Sequence, residues 1–148
     1  MPEGFAATPG KAEAEAVLIE KARPLVPVLK ERALRAETDR RISKQTDKEF
    51  REAGFYAALQ PARYGGLELD YGAQTEFARE LGRGCASSAW VGGILACHGW
   101  IAGMFPDDAQ AEIWGHNNNV AIATSFMPVN AKLQRTRSGL TLSGRWRF

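Results

Sequence analysis

The chain has 148 residues, 45% of them hydrophobic and 24% charged, with a formal net charge of +2. That length and balance suit one ordinary hydrophobic core, and Lys and Arg interleaved with Asp and Glu between Glu20 and Arg51 describe solvated helix faces. No basic stripe with interleaved aromatics is present, which excludes nucleic acid as a partner class.

The first ten residues carry neither a basic n-region nor an apolar h-region, so residues 1–10 read as a loose tail and not a signal peptide. From Lys11 to about Arg41, Val17, Leu18, Leu25, Val28, Leu29 and Leu34 fall near helical spacing. Pro24 and Pro27 predict a kink or break in that helix. Thr46-Asp-Lys-Glu49 has the form of a capping box, which predicts a second helix running to Ala53 with Gly54 in the left-handed cap position. Phe55, Tyr56 and Leu59 lead into a loop from Pro61 to Asp70, where Gly65 and Gly66 permit a turn closed to other residues. Tyr71 to Leu81 is helical in pattern, with Phe77 and Leu81 on one face.

The stretch from Gly82 to Phe105 is the most apolar and most glycine-rich in the chain. A helix this apolar is expected to be buried on nearly all sides. Gly92, Gly93, Ala96, Gly99 and Gly103 leave one flank almost bare, open to another helix, a ligand or a cofactor. Ser87 or Ser88 is expected to cap it. Its seventeen largely apolar residues, Ala89 to Phe105, reach only the lower edge of the roughly 17 to 25 that cross a bilayer. His98 interrupts them and no Lys or Arg cluster flanks them, so a core helix is expected and no membrane partner. Cys85 and Cys97 would lie about 18 Å apart along one helix, too far for a disulfide, which fits a reducing, cytoplasmic setting. Both are expected to be small core residues. Pro106, two Asp in the first turn and Gly115 bound a short helix from Pro106 to Trp114.

Beyond the polar His116-Asn-Asn-Asn run, Val120 to Phe126 reads as a buried strand. Lys132 to Arg137 and Leu140 to Ser143 read as a hairpin turning at Ser138-Gly139, and Trp146 to Phe148 as part of another strand. Since three strands cannot bury both faces of a sheet, the expected organisation is a helical domain over residues 11–115 and the incomplete start of a β domain over 116–148.

His98 is the sharpest chemical candidate, because a neutral imidazole can accept a proton near neutral pH; the competing role is a core histidine satisfied by backbone or water. Thr124 and Ser125 offer hydroxyls on the expected strand. Trp100 and Phe126 suit either an aromatic pocket or the core. His116 is expected to be solvated, and no metal-ligand spacing occurs.

Several runs, in order and spacing, carry a resemblance: Arg51-Glu-Ala-Gly-Phe55, Leu59-Gln-Pro61, Arg63-Tyr-Gly-Gly66, Arg79-Glu-Leu81, Cys85-Ala-Ser-Ser-Ala-Trp-Val91, Cys97-His-Gly-Trp100, Phe105-Pro106, Ile113-Trp-Gly115 and Leu142-Ser-Gly-Arg-Trp146. Together they resemble the acyl-CoA dehydrogenase superfamily, and within it the two-component flavin-dependent monooxygenases that hydroxylate phenols. The resemblance implies a mainly α fold: an acyl-CoA-dehydrogenase-like amino-terminal helical domain followed by the first strands of a β-barrel-like middle domain. It implies reduced FMN or FAD as cofactor, a small aromatic substrate, a flavin reductase as partner, and a homotetramer in the complete protein. His98 would bind the substrate and hydrogen-bond its phenolic oxygen as the catalytic residue, with Trp100 beside the substrate and Thr124, Ser125 and Phe126 toward the flavin. An FAD-dependent acyl-CoA dehydrogenase and a truncated, non-catalytic domain are the alternatives. The family's later flavin-approaching serine and carboxyl-terminal helical bundle would fall after Phe148, so the isolated chain is expected to bind flavin poorly.

Overall fold

The computed structural model describes residues 9–147. Six α-helices come first: α1 (Pro9–Ala22), α2 (Leu25–Asp39), α3 (Lys44–Ala53), α4 (Gly72–Gly82), α5 (Ala86–Ala102) and α6 (Asp107–Trp114). Single 3-10 turns at Phe55–Ala57 and Ala62–Tyr64 join α3 to α4. Four short strands follow: β1 (Met127–Pro128), β2 (Lys132–Thr136), β3 (Gly139–Ser143) and β4 (Trp146–Arg147). This is the mainly α architecture expected. The expected tail falls outside the described residues, apart from Pro9 and Gly10, which open α1.

The proline break lies between Ala22 and Leu25, with Pro24 in the N-cap position of α2. Pro27 stays inside the first turn of α2, where backbone N–H groups have no intrahelical acceptor, so the missing donor costs nothing there. At α3 the cap is Ser43, not Thr46: the Ser43 hydroxyl accepts the Thr46 N–H at 3.0 Å. Thr46 is buried instead, its hydroxyl accepting from Arg32 at 3.1 Å. Gly54 does take the left-handed conformation at the end of α3, with φ of 89°.

The core gathers Leu18 from α1, Leu29 from α2, Phe50 from α3, Phe77 and Leu81 from α4, and Ala89 and Ala96 from α5 around Phe55. Phe55 stacks on Phe77 at 4.7 Å, and Phe50 meets Phe55 edge-on at 5.5 Å. The glycine flank of α5 is occupied by the chain itself. A Cβ on Gly92 would sit 3.3 Å from the Phe50 ring, and one on Gly93 would lie 2.8 Å from Gln74 Oε1. The rest of α5 departs from expectation, since Trp90 and Trp100 are 58% and 40% exposed. Its N-cap is Cys85, with the Ser88 hydroxyl donating to the Cys85 sulfur at 3.3 Å, so neither Ser87 nor Ser88 caps it. No described helix is long and apolar enough to cross a membrane.

The strands form two antiparallel pairs, β1 with β4 and β2 with β3. Thr136 pairs with Gly139, so Arg137 and Ser138 make the turn, one residue earlier than expected. Val120 to Phe126 is not a strand. A strand needs a neighbouring backbone to share its ladder, and among the described residues none runs beside this segment; only β1, immediately after it, finds a partner in β4.

Candidate functional site

His98 lies in the last third of α5 and is 6% exposed. Its Nδ1 is 2.9 Å from the carbonyl oxygen of Ile122, in the irregular strap that runs from α6 to β1. The helical body grips that strap at two further points. The buried Gln60 amide donates to the carbonyls of Asn118, at 3.1 Å, and Tyr64, at 2.7 Å. The Arg51 guanidinium donates to the Asn119 carbonyl at 3.1 Å. Gln60 is held in turn by the Gly65-Gly66 loop, whose continuation returns the Glu68 N–H to the Gln60 carbonyl at 3.0 Å. Neither Gln60 nor Arg51 was among the residues expected to matter, although both fall inside runs that carry the family resemblance. Their acceptors are backbone carbonyls, which leave no mark in a sequence.

Trp100 is two residues beyond His98 and about 200° further round the helix, so the two do not share a face. Its ring packs edge-on against Tyr71 at 5.1 Å. It lines a groove of about 420 Å³ with Leu59, Pro61, Arg63, Met104 and Gln110. Arg63 reaches Asp107 and Gln110 there, each at 2.7 Å, and its hydrogen bond holds the Asp107 carboxyl below the ordinary range. Gln110 donates to the Gly103 and Phe105 carbonyls at 2.9 and 2.6 Å, satisfying the carboxyl end of α5. A second, more apolar groove of about 470 Å³ runs between α4 and α5 past Tyr71, Ala78, Trp90, Gly93 and Cys97. Cys97 is therefore half-exposed and not core. Its sulfur lies 3.1 Å from the Tyr71 hydroxyl, a contact that raises the pKa of that phenol.

Thr124, Ser125 and Phe126 follow the Ile122 carbonyl along the strap. The Ser125 hydroxyl donates to the Arg147 carbonyl and accepts the Met127 N–H at 3.3 Å, fastening β1 to β4. Thr124 is exposed, with no side-chain hydrogen bond among the described residues, and Phe126 is 70% exposed. Thr124 and Phe126 thus leave a hydroxyl and an aromatic ring uncovered on the strap. His116 is exposed as expected. No metal-binding cluster occurs among the described residues.

Helices packed around a glycine-flanked central helix, with a strap leading from them to antiparallel strands, define an acyl-CoA-dehydrogenase-like amino-terminal domain. Residues 12–115 match the profile of the acyl-CoA dehydrogenase N-terminal domain, and the chain belongs to that family. The oxygenase subunit HsaA of a flavin-dependent monooxygenase from Rhodococcus jostii is 35% identical over 122 residues, which is 82% of this chain and 32% of that protein. The oxygenase component of an FADH2-dependent resorcinol hydroxylase from Rhizobium is 29% identical over 140 residues, 95% of this chain and 34% of that one. Among solved structures, XiaF from Streptomyces, in complex with FADH2 and glycerol, superimposes with a TM-score of 0.84 at 28% identity, covering 92% of this chain and 34% of XiaF. The chain spans about a third of the length of the curated relatives it matches.

Proposed function

We propose that the chain is the amino-terminal part of the oxygenase component of a two-component system that hydroxylates a small phenolic substrate with O₂ and reduced FMN or FAD. A separate flavin reductase would supply the reduced flavin, and the assembled oxygenase would be a cytoplasmic homotetramer. The observation that carries this reading is the match to the resorcinol hydroxylase oxygenase component. At 95% of the chain it takes in both His98 and the strap as far as Phe126.

Each residue then has a role its surroundings allow. His98 takes the phenolic proton, leaving the more electron-rich phenolate to be oxygenated. Trp100 lies on another face of α5, packed edge-on against Tyr71, so its part is to line a separate groove and not to touch the phenol held by His98. Thr124 presents the hydroxyl directed at the flavin and Phe126 the aromatic face, while the Ser125 hydroxyl is committed to the β1–β4 pair. Reduced flavin, when bound, supplies the activated oxygen.

The test uses the protein purified from its host, given reduced FMN or FAD, O₂ and a panel of phenols, with products read by mass spectrometry. The expected product is heavier than the phenol by one oxygen atom and survives added catalase. Reduction of bound FAD by an acyl-CoA, without oxygen insertion into any phenol, would replace this reading with the dehydrogenase one.

A further inference from the structure

We propose that the Ile122 carbonyl is the positioning group of His98. It fixes the imidazole as the Nδ1–H tautomer and leaves Nε2 as a bare acceptor, and Gln60 keeps that carbonyl in place through the strap. The catalytic meaning rests on the reading of His98 as the proton acceptor; the tautomer itself does not.

A backbone carbonyl has lone pairs and no proton, so a ring nitrogen 2.9 Å away must be the donor. A neutral imidazole carries one N–H, and with that proton on Nδ1 the lone pair belongs to Nε2. The opposite tautomer would set two lone pairs against each other on a residue only 6% exposed, where an unmade hydrogen bond is costly. The free nitrogen is also not fully sealed. Among the described residues Nε2 has no protein partner, yet the only fully enclosed side-chain polar atom without one is Trp114 Nε1. Nε2 therefore keeps a small exposed surface.

The position of the carbonyl depends on distant residues because Ile122 has no sheet partner among the described residues. What holds the strap is Gln60, 2% exposed, whose amide donates to Asn118 and to Tyr64, and Arg51, which donates to Asn119. Gln60 thus acts on His98 without touching it, through the short run of irregular backbone from Asn118 to the Ile122 carbonyl.

The experiment is ¹⁵N NMR of the histidine ring near neutral pH in the His116→Gln variant, which leaves His98 as the only imidazole. The expected spectrum shows a protonated Nδ1 and an imine-type Nε2. A protonated Nε2, alone or as part of an imidazolium, overturns the proposal. In Gln60→Leu, with helix content checked by circular dichroism, the single-tautomer pattern is expected to be lost to averaged shifts. An unchanged pattern in the folded variant removes Gln60 from the argument, and should Gln60→Leu fail to fold, Arg51→Gln is judged by the same criterion. These measurements need neither flavin nor phenol. A protein that fails to hydroxylate would leave the tautomer standing, and a wrong tautomer would leave the oxygenase reading standing.

Discussion

Glu49 shows how much one side chain decides at the residue scale. Its carboxylate takes both arms of the Arg32 guanidinium, at 2.6 and 3.2 Å, and a third bond from Gln45 at 2.9 Å. The Arg32 hydrogen bond, foremost, holds the Glu49 pKa below the ordinary carboxylate range. A depressed folded pKa gives stability that is whole above the unfolded value, near pH 4, and is lost as pH falls through the folded value. Both side chains are partly exposed, which limits the pair to about 1 kcal/mol. Glu49→Gln is therefore expected to lower urea stability at pH 7 by about that amount and to flatten the acid limb of the stability curve. An unchanged acid limb would mean that Glu49 does not contribute to it. Gly66 is held more stringently. A Cβ there would overlap the Gln60 carbonyl oxygen and lie 2.5 Å from its carbon, and neither backbone atom can move without disturbing the Glu68 N–H that the oxygen accepts. Gly66→Ala is expected to cost about 3 kcal/mol in urea unfolding; a loss within 0.5 kcal/mol, the usual reach of an indifferent surface change, would show that the loop gives way. His98 was legible in the sequence because histidine in an apolar helix is conspicuous. Its partner was not, since the acceptor is the carbonyl of an ordinary isoleucine 24 residues away.

At the element scale, the start of α3 shows why a local motif can be sound and still misplace a boundary. Thr46-Asp-Lys-Glu49 has the right residues for a capping box, but the box closes only if Glu49 is free to reach back to the Thr46 N–H. Glu49 is committed to Arg32 on α2, and the Thr46 N–H goes to Ser43 instead. Ser43→Ala is accordingly expected to lower the urea midpoint by the equivalent of about 1 kcal/mol with no change in slope. A silent Ser43→Ala would return the cap to Thr46. Other elements yielded to the sequence according to how local their cause is. Proline geometry marked the α1–α2 break, and Gly54 the end of α3. The bare flank of α5 was visible in its glycines, and Phe50 and Gln74 fill it. The opposite face was misread, because apolar composition alone cannot tell a buried Trp90 from an exposed one. Val120 to Phe126 has strand-forming residues and no neighbour to pair with, and pairing is not a property of the segment.

At the scale of the whole molecule, the two ends of the chain differ in what holds them. Phe50, Phe55 and Phe77 tie α3 and α4 into a core that α1, α2 and α5 close, and these side chains are fully buried. The β2–β3 ladder has hydrogen bonds but no such cover, with every one of its residues exposed. A lone two-stranded hairpin is marginal in water, whereas opening the amides at the centre of a packed domain costs on the order of the global 5 kcal/mol or more. Hydrogen exchange followed by mass spectrometry is therefore expected to separate the chain into two parts. Peptides from Lys132 to Ser143 should exchange on the order of a thousandfold faster than those from the middle of α4 and α5. Because the cause is the absence of packing, the contrast should persist when the core is weakened: Gly66→Ala should accelerate α4 and α5 and leave the hairpin unchanged. Equal protection in both regions would mean that the hairpin is covered in solution by a surface of this or another molecule, and Leu133, Leu140 and Leu142 are the exposed apolar residues such a cover would bury.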